Sequence, residues 1–180
     1  MRHLLPLLFI FLVIAYPGKE ENYIPLTVGN WWEFQKGTDT LRIDVLSTKI
    51  NTSGKEVFCV YENLWTYTDT CYLLEEDDKL YCYETLADTI PMILLELPLE
   101  LDKSWEVMKL IIKDTTIITA KVVAKENLTL PAGDFSDCYK FQIFYDADPQ
   151  DEYYWYAPDV GLVKKVNNTI VYELIEYSIE

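Results

Sequence analysis

The sequence predicts an all-β fold with a minor helical part: a single antiparallel, strongly curved sheet or half-barrel built from two similar β-meander modules. Three observations predict it. Apolar residues alternate with polar ones at period two, turn signals separate the alternating runs, and one strand-entry phrase occurs twice. The copies are 25–33 (PLTVGNWWE) and 98–106 (PLELDKSWE), in which Pro, Leu, Trp and Glu recur at matching offsets. We therefore expect one domain over 16–180, with modules at about 23–97 and 98–180.

The alternating runs define the predicted strands. Leu41, Ile43 and Val45 alternate with Arg42 and Asp44, which is typical of a half-buried strand. Short turns rich in Gly, Asn, Asp and Pro separate the runs and indicate a meander. Because the stretch 91–101 holds two prolines, it is predicted to be a linker with at most one helical turn. The other predicted strands are 57–61, 65–74, 80–86, 105–112, 116–124, 135–145, 152–156, 161–166 and 170–179.

The N-terminus has the pattern of a secretory signal peptide. A short basic start precedes an apolar run that ends at a small-residue site, with Ala15 as the last residue before cleavage. An uncleaved anchor is the alternative. No Cys follows the apolar run, so a lipid-modified N-terminus is not expected. We expect residues 1–15 to be removed and the mature protein to be exported, to the periplasm or the exterior.

Charge and composition narrow the function classes. The formal net charge is −15, which disfavours binding to nucleic acid or to anionic membranes. The single histidine is His3, inside the predicted signal peptide. A mature chain without histidine cannot form a Ser-His-Asp or Cys-His system or present imidazole to a metal. We therefore predict no enzyme, no cofactor and no metal site, although carboxylate-only hydrolysis is not excluded by composition.

Four cysteines in an exported chain permit disulfides. If residues 75–78 form a hairpin turn, Cys71 lies directly opposite Cys82, within disulfide range. We predict this bridge, with two buried thiols as the alternative. The sequence does not decide whether Cys59 and Cys138 pair.

Aromatic residues are the candidate ligand contacts. Trp32 and Trp105 occupy equivalent positions in the two copies, and Tyr154, Trp155 and Tyr156 belong to one aromatic run. Since side chains alternate along a strand, this run places aromatics on both faces of the sheet. One face meets the core, and the other needs cover from the chain or from an apolar ligand. The alternative is that all five residues only pack within the sheet.

Three longer phrases resemble the signature stretches of a broad set of secreted bacterial domains of unknown function. They are 23–32 (YIPLTVGNWW), 130–140 (LPAGDFSDCYK) and 153–164 (YYWYAPDVGLVK). The resemblance implies a curved antiparallel sheet similar to the half-barrels of lipoprotein carriers, and it implies no catalytic residues.

Two hypotheses of function follow. The first is an exported, non-catalytic envelope protein that binds a lipid-like or other hydrophobic ligand on the concave face of the sheet. The alternative is a secreted module that binds a protein or polysaccharide partner through its aromatic face. Ligand identity, an envelope protein partner and oligomeric state are left open by the sequence.

Overall fold

The structure is a computed structural model that describes residues 21–64, 67–111, 115–145 and 152–180. The predicted signal peptide lies outside these residues, as do the start of the predicted strand 65–74, the end of the predicted strand 105–112, and residues 146–151. Within the described residues the chain forms β1 Trp31–Lys36, β2 Asp39–Ile50, β3 Glu56–Leu64, β4 Tyr67–Glu76, β5 Lys79–Tyr83, β6 Met92–Glu96, β7 Ser104–Ile111, β8 Thr115–Leu130, β9 Gly133–Tyr145, β10 Glu152–Ala157, β11 Gly161–Asn167 and β12 Ile170–Ser178.

All twelve strands belong to one antiparallel sheet. Strands that are consecutive in sequence pair with each other, except β6 and β7, and β1 also pairs with β12. The resulting order runs from β6 through β1 and β12 to β7, so the sheet curls into a nearly closed up-and-down barrel. The predicted all-β antiparallel sheet is confirmed. The strong curvature is confirmed too and brings the sheet close to complete closure. No helix occurs in the described part of the chain.

The remaining seam lies between β6 and β7, which share no backbone ladder. Side chains close it instead. The Trp105 indole donates a hydrogen bond across the seam to the carbonyl of Ile93 at 3.0 Å. Lys103 donates to the carbonyl of Leu97 at 2.9 Å and lies 3.7 Å from the Glu96 carboxylate. The seam therefore depends on a few specific side chains.

Two strands were missed by the sequence analysis. β1 is not among the predicted strands, and β6 lies inside the stretch predicted to be a linker. Pro91 and Pro98 flank β6 rather than interrupt it, so neither removes a ladder donor from its interior. The predicted module boundary falls between β6 and β7, and the internal duplication stays a prediction.

Residues 21–30 cover one end of the barrel, which we call the closed end. Tyr23 and Ile24 are buried there, and Asn30 donates from its side chain to the carbonyl of Pro25 at 2.7 Å. The backbone of Asp159 donates to the carbonyl of Asn22 at 2.6 Å. These contacts hold the segment against the β10–β11 turn. The interior of the barrel lies directly beneath the segment.

A glycine permits this close fit. Gly161 begins β11 with a φ of +84°, and a Cβ there would lie 3.1 Å from the ring of Pro25. Because L-residues rarely adopt this φ, a side chain would be strained as well as crowded. Gly161 thus lets the covering segment pack directly on the barrel end.

The outer face of β3–β5 is covered by the chain itself. Val57, Leu74 and Tyr83 form a buried cluster against Leu86, and the Leu86 carbonyl accepts a hydrogen bond from the backbone of Thr52. The loop after β5 therefore folds back over this face. The outward-facing aromatic side chains of these strands are therefore covered by the chain and need no external ligand.

Candidate functional site

The barrel interior holds a partly open cavity of about 670 Å³. Its walls come from inward-facing side chains of nearly the whole sheet and from the segment that covers the closed end. Ligand pockets in proteins commonly measure about 300–1,000 Å³, so this volume suits a small organic molecule.

The half of the cavity near the closed end is apolar. Trp32, Leu80 and Leu162 each occupy the second position of a strand that starts there, and Ile24 and Leu26 come from the covering segment. Trp32 directs its indole nitrogen outward from this lining, donating to the carbonyl of Val160 at 2.7 Å. Its one polar atom is thereby satisfied, and the ring offers an apolar surface.

The opposite end of the cavity is charged, and we call it the acidic end. In an antiparallel meander, the end of an upward strand and the start of the next downward strand lie on the same side. Each charged residue of the lining lies within two residues of a strand end on that side: Glu62, Asp69, Glu84, Glu152 and Lys165. The cavity is therefore polarised along the barrel axis.

Glu152 is the most buried of these charges, with 6% of its surface exposed. It accepts a hydrogen bond from the Tyr145 hydroxyl at 2.5 Å and another from the Tyr154 hydroxyl. Hydrogen bonds to a carboxylate are strong enough to offset part of the desolvation that a buried charge suffers. Two tyrosines thus hold this carboxylate in a fixed position in the wall.

Lys165 is the only basic side chain among the lining residues that the structure describes. Its ammonium lies 5.5 Å from the ring centre of Tyr154 and 5.7 Å from that of Tyr172. Both distances fit cation–π contact. The lysine is therefore held against the β10–β12 wall, across the cavity from β3 and β4.

The pKa values of three tyrosines in this wall are raised, which favours their neutral form. Burial first, and then the Glu152 carboxylate to which both donate, raises the pKa of Tyr145 and Tyr154. Burial, followed by the negative charge of Glu62 on the facing wall, raises the pKa of Tyr156. Glu62 and Tyr156 therefore influence each other across the cavity.

These shifts predict a loss of stability at alkaline pH. An unfolded tyrosine ionises near pH 10, whereas these three retain their protons in the folded state above that pH. The folded state then binds more protons, so the contribution is complete below about pH 10 and is lost as pH rises further. We expect the free energy of unfolding, measured by denaturant titration, to fall steadily between about pH 10 and 12. The decline should be shallower in Tyr154→Phe, and an equal decline in that variant would contradict the assignment.

The five predicted ligand contacts separate into two groups. Trp32, Tyr154 and Tyr156 line the cavity. Trp105 and Trp155 are buried but are not among its lining residues. Trp105 belongs to the seam, where it also packs edge-to-face on Phe141 at 5.5 Å.

Trp155 faces outward because its neighbours Tyr154 and Tyr156 face inward. Its indole donates to the Glu126 carboxylate at 2.6 Å. The ammonium groups of Lys140 and Lys164 lie 4.7 and 5.6 Å from its ring centre. This environment gives Trp155 a role in packing the outer face.

The predicted direct opposition of Cys71 and Cys82 is wrong. The hairpin turns on two residues only, Asp77 and Asp78, both at positive φ, and Cys82 is consequently opposite Leu73. Cys71 is a diagonal neighbour on the same inward face, where Cα atoms lie about 7–8 Å apart, beyond unstrained disulfide range. Both are free thiols here, and Cys71 is hydrogen bonded to Cys82. A bridge stays a prediction that would require backbone movement.

Sequence reasoning missed the charged part of the site. Glu62, Asp69 and Glu84 were not singled out, because the chain holds 30 acidic residues and only the register of the barrel turns these inward. A usable signal was present in β3, where Glu62 continues the alternation of inward residues that Phe58 and Val60 begin.

No family model, no curated protein and no solved structure matches this chain. The resemblance to secreted bacterial domains therefore stays a prediction beyond its coarse part, an antiparallel sheet closed nearly into a barrel. Across the described ranges, no helix is long and apolar enough to span a membrane.

Proposed function

We propose that this chain is an exported, non-catalytic envelope protein that binds a lipid-like or other hydrophobic ligand inside its barrel. The observation that carries the proposal is the cavity of about 670 Å³, with an apolar half at the closed end. A molecule placed there would exchange water for contact with Trp32, Leu80 and the covering segment. The cavity lies on the concave side of the curved sheet.

Binding is favoured over a surface-interaction role by the burial of the tryptophans. Trp32, Trp105 and Trp155 are each at most 7% exposed. A partner that docks on an aromatic face needs rings that reach the surface, and these three do not supply them. The interaction-module alternative would have to use other residues.

Native mass spectrometry of the protein, purified gently from the envelope of its own source cells, tests the proposal. We expect extra mass that disappears on denaturation and that extracts into organic solvent as an apolar compound. Displacement of the neutral fluorescent probe N-phenyl-1-naphthylamine by decanol provides a second readout on apo protein. A bare polypeptide mass together with no probe binding would reject the proposal.

A further inference from the structure

We infer that the ligand of this cavity is a hydrophobic amine, with its ammonium group at the acidic end and its apolar body toward the closed end. The inference rests on the proposed function and adds the chemical class of the ligand. It starts from the unequal distribution of charge in the lining, four carboxylates against one ammonium.

Three of the carboxylates lie on one wall. Glu62 on β3 and Asp69 on β4 are directly opposite each other in the ladder, and Glu84 directly follows β5. Like charges placed directly opposite on one face of a sheet are destabilising. Among the described residues, Glu62 and Glu84 have no ion-pair partner within 4.0 Å. Glu62 and Glu84 would therefore attract a cation that enters the cavity and repel an anion.

Lys165 does not neutralise the negative charge of this wall. It extends from β11, and its ammonium is held against the rings of Tyr154 and Tyr172. A carboxylate ligand drawn to Lys165 would share the acidic end with Glu152, only two residues along β10 from Tyr154. It would also face Glu62 and Asp69. Net charge at this end therefore favours an ammonium over a carboxylate.

The carboxylates do not form a chelating group. No cluster of three or more Asp, Glu, Cys or His close enough to hold a metal ion occurs in the described part of the chain. Glu62 and Glu152 belong to facing walls, β3 and β10. An ammonium on an apolar chain fits this arrangement, since its charge interacts with several carboxylates at moderate distance while the chain occupies the apolar half.

Competition binding with matched probes tests the inference. Decylamine, decanol, decanoate and decylphosphocholine share one apolar chain and differ in head-group charge. We expect decylamine to bind at least about tenfold more tightly than decanol, and decanoate at least about tenfold more weakly than decanol. Decylphosphocholine should bind more weakly than decylamine, because its phosphate would face the same carboxylates.

Variants assign the preference to the acidic end. The double variant Glu62→Gln/Glu84→Gln should lose about tenfold of its decylamine affinity and keep decanol affinity within about twofold. Glu106→Gln removes one negative charge from an exposed position outside the cavity and is the matched control for Glu84→Gln, which also removes one. It should change neither affinity. Circular dichroism establishes that each variant is folded, and Glu84→Gln alone, at an exposed position, provides a mild second variant.

The outcomes separate the two proposals. Binding of decanol without preference for decylamine, or tightest binding of decanoate that is lost in Lys165→Met, overturns the amine inference and leaves hydrophobic binding intact. A decylamine preference that Glu106→Gln reduces as much as the double variant also overturns it, because the preference would then come from overall charge. Failure of all four probes to bind rejects the proposed function itself.

Discussion

Replacing Trp105 with alanine is expected to lower the free energy of unfolding by about 3–5 kcal/mol, the range for truncation of a buried aromatic residue. Trp105 is 5% exposed and packs on Phe141. Its indole also makes the hydrogen bond to Ile93 that joins β7 to β6, the two strands without a shared ladder. The substitution therefore removes core volume and one of the few links across the seam. Denaturant unfolding followed by circular dichroism measures the loss.

Two further variants separate these contributions. Trp105→Phe keeps an aromatic ring but removes the seam hydrogen bond to the Ile93 carbonyl, which should cost about 0.5–1.5 kcal/mol. Trp31→Ala is the control of equal chemistry, since Trp31 is only half-buried and stacks on the Arg42 guanidinium at 4.0 Å. Its expected loss is about 1 kcal/mol. Equal losses in Trp105→Ala and Trp31→Ala would contradict the role assigned to the seam.

Period-two alternation was sufficient to predict most of the fold. It identifies strands wherever one face is buried and the other is exposed to solvent. This is so in β2, where Leu41, Ile43 and Val45 face inward. It failed for β6, because the segment is short and flanked by prolines, and its position beside β5 depends on the curvature of the whole sheet. Local pattern does not contain that curvature.

The pairing register between strands was harder to predict than the positions of the strands. The acidic residues 75–78 are compatible with a four-residue or a two-residue turn, and the choice moves Cys82 by two positions relative to Cys71. The structure has the two-residue form, in which Asp77 and Asp78 adopt positive φ. Since alternation is preserved by a shift of two, the facing of each side chain was still predictable, whereas its cross-strand partner was not.

The candidate site was predictable only in part, because alternation gives the face of each side chain but not which strands face each other. Tyr154 and Tyr156 were identified from an aromatic run, and they do line the cavity. Trp155 came from the same run and faces outward, because adjacent residues of a strand cannot share a face. The acidic end needed the closure of the barrel, which brings the wall of β3–β5 opposite that of β10–β12.

Narrowing the cavity is expected to weaken ligand binding while the fold persists. Ile43 on β2 and Ile118 on β8 are half-buried residues of the cavity lining. Their strands lie on opposite sides of the barrel, because half of the strand order separates them. The double variant Ile43→Trp/Ile118→Trp places an added ring in the lumen from each side. Because the cavity already holds empty volume, the rings enter it without the strain of an overpacked core. We expect the affinity for N-phenyl-1-naphthylamine to fall at least about 30-fold, equivalent to about 2 kcal/mol.

The matched control uses the same two strands and the same added volume on their other face. Leu46 and Val123 are exposed, at 54% and 39%, and neither lines the cavity. Leu46→Trp/Val123→Trp should therefore leave probe affinity within about twofold of the original protein. Thermal unfolding of both double variants establishes that each is folded. Full probe binding in a folded Ile43→Trp/Ile118→Trp protein would contradict a binding site in the lumen between these two strands.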